Sequence, residues 1–286
     1  MTIVRAAIVA LALCGLGDAE QTQASEDRAI PIEGVANTRD LGGLQTKDGR
    51  SIRTGQLIRS GEIDRMGADG MALVEDLGVT SIVDLRTTLE SIADPVLWPD
   101  GQGPERYNFP VMEQEAQMIE DMRASIKSGT ATETQTDTLF FEAFGYIATD
   151  YTKEFRALFD VLIEQPEGEA VLYHCSGGKD RTGVATALVL SALGVTQEDI
   201  EADFMMSNVL KDARNASVKI ADQVNAERGT NMTPEAVWPS LGVRMEYLNN
   251  FYSSVNETYG SVDNYLHEGL GLTDQDLEKL RNRYLN

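Results

Sequence analysis

The chain has 286 residues, 42% of them hydrophobic and 24% charged, which is long and apolar enough to bury a sizeable core and excludes a disordered protein. Its 24 lysines and arginines against 46 aspartates and glutamates leave a formal net charge of −22. Such a surface repels nucleic acid and anionic membrane, so neither is expected as a partner, but it says nothing about the sign of one small pocket.

In MTIVRAAIVALALCGLGDAEQTQASEDRAI one cation, Arg5, precedes an apolar run from Ala6 to Leu16 that is too short to span a bilayer. Small residues follow. The pattern predicts an export signal over residues 1–24, cut after Ala19 or Ala24, and a mature protein in the bacterial periplasm or secreted, with no stable membrane insertion. A lipoprotein linked through Cys14 and an uncleaved anchor are the alternatives; Leu13 stands where a small residue should precede a lipidated cysteine. Without the signal, Cys175 is the only cysteine, so it cannot form an internal disulfide and remains a free thiol.

Residues 30–286 show no linker or repeat and read as a single domain. An irregular entry, NTRDLGGL (37–44), leads to a short strand over 56–59, a helix over 68–77 and a strong strand over 79–85. Pro95, Pro99 and Pro104 break the chain before a strand over 107–111, and the polar stretch 128–138 reads as a loop or lid. Apolar residues recur at helical spacing over 139–163, from Phe140 and Phe144 to Leu158 and Leu162. A buried strand over 170–173 comes next, then helices over 182–193, 196–225, 242–259 and 273–284. Thr196 and Thr273 are suited to cap the second and last of these. Strands separated by helices predict an α/β fold with a mostly parallel central sheet flanked by helices, the extra helices forming a lid. In such sheets ligands bind beyond the carboxyl ends of the strands.

The stretch VLYHCSGGKDRTGVATALVLSALG runs from strand to helix. Backbone N–H groups between the two lack regular partners, and those at the helix start carry partial positive charge. Gly177 and Gly178 let the chain curl so that N–H groups from Ser176 to Thr182 converge on one anion of phosphate size. Arg181 adds a planar fork for two phosphate oxygens. The same dipoles stabilise a thiolate at Cys175, which then faces the phosphorus as a nucleophile. Thr182 is placed to hydrogen-bond the sulfur. A nucleotide-type phosphate loop is excluded, because Asp180 follows Lys179 where Ser or Thr is needed. Lys179 either adds a cation at the pocket mouth or simply pairs with Asp180.

HCSGGKDRTG resembles the signature of the cysteine-dependent tyrosine phosphatases. NTRDLGGL, LGVTSIVDLRTTLE and the tail LGVRMEYLNNFYSSVNETYGSVDNYL extend the resemblance, from about residue 30 onward, to the secreted bacterial atypical phosphatases that act on phosphotyrosine and phosphoinositides. The resemblance implies a phosphatase fold and a phosphotyrosine protein or phosphoinositide as substrate. It carries the proton donor onto Asp84 of the DLR motif and puts Arg39 and Asp40 near the site as scaffold. Asp84 also ends a strand at the carboxyl edge, whereas Asp100 of WPDG precedes the next one; Asp84 is favoured, with Asp100 and Asp180 as the other candidates. His174 is expected to position the loop. This chemistry requires no cofactor, and two histidines with one cysteine in the mature chain give no metal cluster. A phosphate-binding module without turnover and a sulfurtransferase-like enzyme are the competing readings, and oligomeric state is open.

Overall fold

A computed structural model describes residues 28–98, 101 and 103–286. The segment expected to be an export signal, with Cys14, Ala19 and Ala24, and the alternative proton donor Asp100 lie outside the described residues. Among those described, no helix is long and apolar enough to cross a membrane.

Five strands form one sheet in the order β1-β2-β5-β3-β4. These are β1 (Arg39–Asp40), β2 (Leu57–Ser60), β3 (Val79–Asp84), β4 (Glu105–Asn108) and β5 (Ala170–His174). Only the two-residue β1 is antiparallel to its neighbour; the rest are parallel, so the mostly parallel α/β sheet is as expected. Alternation along the strands divides the core in two, because successive side chains leave opposite faces. Ile58, Ile82 and Leu172 pack with Val74 of α1 (Ala68–Asp76) on one face. Leu57, Val83, Val171 and Tyr173 face the larger core on the other.

At the centre of the larger core lies α6 (Arg181–Leu193), of which all but one residue is buried. Around it pack α4 (Glu133–Asp150), α5 (Thr152–Glu164), α7 (Gln197–Leu210), α10 (Met245–Tyr259) and α11 (Asp274–Tyr284). A Cβ on Gly183 would meet the Phe204 ring at 2.9 Å, so α6 and α7 approach this closely only through a glycine. Thr196 and Thr273 cap their helices as predicted, accepting from the N–H groups of Asp199 and Asp276.

Three expectations need correction. Residues 128–138 are not a loop: α3 (Ala116–Ser128) ends there and α4 begins at Glu133, behind the N-cap Thr132. The helix expected over 139–163 breaks at Tyr151 into α4 and α5. The helix expected over 196–225 is two, α7 and α8 (Ala213–Arg228), parted by Asp212 at φ 45°. Two further helices complete the chain around the site, α2 (Thr88–Ala93) and α9 (Pro234–Leu241).

Candidate active site

The register fixes what meets at the sheet's carboxyl edge. Ser60 of β2 and Asp84 of β3 both align with His174 of β5. The segments just beyond therefore run side by side: Glu62 N–H donates to the Ser176 carbonyl (3.0 Å), and Leu85 N–H to that of His174 (2.8 Å). Residues 175–180 form the loop between β5 and α6, with Cys175 1% exposed.

The loop carbonyls are tied on the outside. Asn37 Nδ2 donates to the carbonyls of Gly178 (2.8 Å) and Gly177 (3.3 Å), and Arg59 Nη2 donates to Gly178 (2.8 Å). Together with the bond from Glu62, this pins three consecutive carbonyls. In a trans peptide the N–H points opposite the C=O, so the N–H groups of Gly177, Gly178 and Lys179 are turned inward. Among the described residues, no backbone N–H from Ser176 to Asp180 donates a hydrogen bond. Five unpaired donors, three of them turned inward beside a helix N-terminus, make an anion cradle. Of the two loop glycines only Gly178 is conformationally obligatory. It has φ +63°, and a Cβ there would meet the Ser60 carbonyl at 2.5 Å.

The outer clamp is itself held by a buried charge cluster. Asp203 of α7 accepts from Arg39 Nε (3.0 Å), Arg59 Nη1 (2.6 Å) and Arg28 Nη1 (3.0 Å). Asp203, Arg39 and Arg59 side chains are wholly buried. Burial opposes ionisation of Asp203, but Arg39, Arg59 and Arg28 overcome it and hold the carboxyl far below its ordinary range. Burial and the neighbouring Arg59 push Arg39 down to about 10. Arg39 thus sits under the loop as scaffold. Asp40 instead accepts from the N–H groups of Gly42 (2.9 Å) and Gly55 (2.7 Å) and makes no bond to the loop.

Arg181 opens α6 and is gripped by Glu90 of α2: Nη1 to Oε2 is 2.6 Å and Nη2 to Oε1 is 3.1 Å. Glu90 also accepts from Ser176 Oγ (2.5 Å) and from Arg123 Nη2 of α3 (2.6 Å), and it closes the capping box of α2 with Thr87. Burial opposes its charge, yet Arg181, Ser176 and Arg123 keep it ionised far below the usual carboxylate range. The Nε–H of Arg181 makes no hydrogen bond among the described residues and is left for a ligand. Glu90→Gln keeps the shape but halves the grip; it is expected to lower turnover of an aryl phosphate by on the order of 10²-fold, with less effect on KM, in steady-state assays.

Asp84 ends β3 at the carboxyl edge, but its carboxylate is committed to Arg86, with Nη2 at 2.8 Å and Nε at 3.0 and 3.1 Å. Burial favours its neutral form; His174 and Arg86 outweigh that and leave it below its ordinary range. A carboxylate held this way is a poor proton store at neutral pH. His174 is wholly buried, and burial lowers its pKa against the opposing pull of Asp84. Its Nδ1, 3.2 Å from the Cys175 carbonyl, must carry the proton, because a carbonyl only accepts. Thr182 Oγ1 is buried without a partner among the described residues, so the bond expected from it to the sulfur is not made here.

Lys179 pairs with Asp180 (2.8 Å), donates to the Pro239 carbonyl of α9 (2.9 Å) and lies 4.1 Å from the Phe140 ring centroid. Burial lowers its pKa. A cavity of about 350 Å³ rises from Ser176, Gly177 and residues 179–181. Its walls are mainly apolar, from Met112, Ile119, Met122, Ile126 and Phe140, and Arg123 and Lys127 also line it. The roof is built from α3, α4 and α8, and none of residues 128–138, the stretch expected to be a polar loop or lid, lines the cavity.

Asn37, Arg59, Glu90, Arg123 and Asp203 were not singled out from the sequence. Two had signals: a capping-box spacing, Thr87 to Glu90, and an arginine inside the buried strand LIRS.

The model of the tyrosine phosphatase family matches residues 30–286. A Cupriavidus necator protein, whose name assigns it a tyrosine-protein phosphatase activity by inference, is 34% identical over 90% of this chain and 88% of its own. The triple specificity protein phosphatase PtpB of Mycobacterium tuberculosis is 29% identical over 87% of this chain and 96% of its own. A tyrosine-protein phosphatase of Nostoc commune is 26% identical over 93% and 79%. Among solved structures, TpbA of P. aeruginosa is 14% identical with a TM-score of 0.29, covering 63% of this chain and 91% of its own. A cysteine set in a cradle of free amides, an arginine fixed beside it and a match over nearly the whole chain agree: this protein belongs to the tyrosine phosphatase family and is a protein-tyrosine phosphatase by class.

Proposed function

We propose that the protein hydrolyses phosphate monoesters through a phosphocysteine. Cys175 Sγ attacks phosphorus, the ester P–O bond breaks toward the leaving oxygen, and water then cleaves the S–P bond to release inorganic phosphate. The inward N–H groups of Gly177, Gly178 and Lys179, with Arg181, hold the non-bridging oxygens through both steps. The outward tying of three loop carbonyls carries this reading, because it leaves those donors with no other partner.

The apolar walls beside the cradle suit the ring of phosphotyrosine. Phosphoinositides are a second substrate class, supported by Lys127 on the same cavity, where a further phosphate would meet a cation. The pairing of Lys179 with Asp180 counts against that lysine as the head-group reader. Residues 30–286 act as the catalytic unit, and export to the periplasm or medium, with removal of residues 1–24, completes the proposal.

Rapid acid quench of the mature enzyme with a phosphotyrosine peptide, followed by peptide mass mapping, tests the intermediate. Phosphate is expected on the fragment containing Cys175. Steady release of phosphate with label on no fragment, or on another residue, would refute the phosphocysteine. A parallel assay with soluble phosphoinositides decides the second substrate class.

A further inference from the structure

Breaking the ester needs a proton for the leaving oxygen, and most carboxyls around the loop are committed elsewhere. Asp84 is bound to Arg86, Glu90 to Arg181 and Arg123, Asp180 to Lys179, and Asp203 to three arginines. Glu62 is different. Its backbone is fixed against the loop at the residue following the nucleophile, through its N–H on the Ser176 carbonyl. It stands two residues beyond the carboxyl end of β2, level with Ser176 in the register, on the opposite side of β5 from Asp84 and Arg86. Its side chain is half-buried and makes no hydrogen bond or ion pair among the described residues. Arg86, Arg123 and Lys211 at the end of α7 all act on it electrostatically, and Lys211 also senses Cys175 and Asp180.

On the phosphatase reading, we propose that Glu62 is the acid–base residue of the reaction. Its carboxyl proton passes to the leaving oxygen as the P–O bond breaks. The resulting carboxylate then takes a proton from the water that displaces phosphate from Cys175, and Glu62 is again protonated when the cycle ends. The electrostatics agree. The charged groups facing it are Asp64 and Arg65 on its own segment, Arg86 beyond β3, Arg123 from α3 and Lys211 from α7. Burial and Asp64 raise its pKa, and the cations only partly offset them, so it keeps its proton to higher pH than an ordinary carboxyl.

The test compares two aryl phosphates on wild type, Glu62→Gln and Asp84→Asn. p-Nitrophenol leaves without help, whereas phenol needs a proton. Glu62→Gln is expected to lower kcat for phenyl phosphate by about 10²-fold or more, to change p-nitrophenyl phosphate far less, and to abolish the fall of phenyl phosphate kcat on the alkaline side. Glu62→Asp is expected to restore part of that loss. Equal losses on both substrates, no loss on either, or a leaving-group-dependent loss in Asp84→Asn but not in Glu62→Gln overturns the proposal while the phosphatase reading stands. Failure of the wild type to release phosphate from either ester overturns both.

Discussion

Replacing Cys175 with serine is expected to lower phosphate release from a phosphotyrosine peptide by at least about 10³-fold while leaving the peptide bound. A hydroxyl surrenders its proton far less readily than a thiol, so the variant places a neutral oxygen where the reaction needs an anion. The cradle does not depend on the sulfur. Its carbonyls are pinned by Asn37, Arg59 and Glu62, and its arginine by Glu90. Binding of the peptide, measured by calorimetry, should therefore stay within a few fold of wild type. Turnover retained at the wild-type level would remove the phosphocysteine from the mechanism. Loss of binding together with turnover would mean that the thiol shapes the loop.

Asp203→Asn is the substitution expected to cost the most stability, about 3–5 kcal/mol in urea unfolding. The amide nearly preserves shape, so packing is a small part of the effect. What remains is two guanidinium groups, Arg39 and Arg59, wholly buried without their counter-charge. Arg59 also holds the Gly178 carbonyl, so the cradle loosens and activity falls along with stability. The acid limb should change as well. Asp203 is held far below its ordinary pKa in the fold, so its contribution is complete above the unfolded carboxyl value near pH ~4 and is lost as pH falls from there. Wild type should weaken with acid more steeply than the variant. A loss under about 1 kcal/mol would show that water or backbone carbonyls can stabilise the arginines in place of the carboxylate.

The loop was legible because its chemistry is contiguous: Cys175, the two glycines and Arg181 lie within one turn between a recognisable strand and helix. The strands over 79–85 and 170–173 could be read for a related reason, since short β-branched or apolar runs carry their own signature. The clamp could not be read this way. Arg39 and Asp203 are 164 positions apart, and a single sequence gives no reason to pair them. The helix α3 escaped notice because its apolar stripe is thin, with Ile119, Met122 and Ile126 set among polar and charged neighbours in AQMIEDMRASIKS. The break at Asp212 has only a faint trace, since aspartate is one of the few residues that tolerate a left-handed backbone.

The grip of Glu90 on Arg181 has a consequence for affinity. A free arginine side chain carries roughly 2 kcal/mol of rotamer entropy, which a ligand must otherwise freeze out on binding. Here that freedom is already lost during folding, so a phosphate meets a fork whose orientation no longer fluctuates. The interaction energy of the bound ester then goes into holding the reacting geometry rather than into ordering the enzyme.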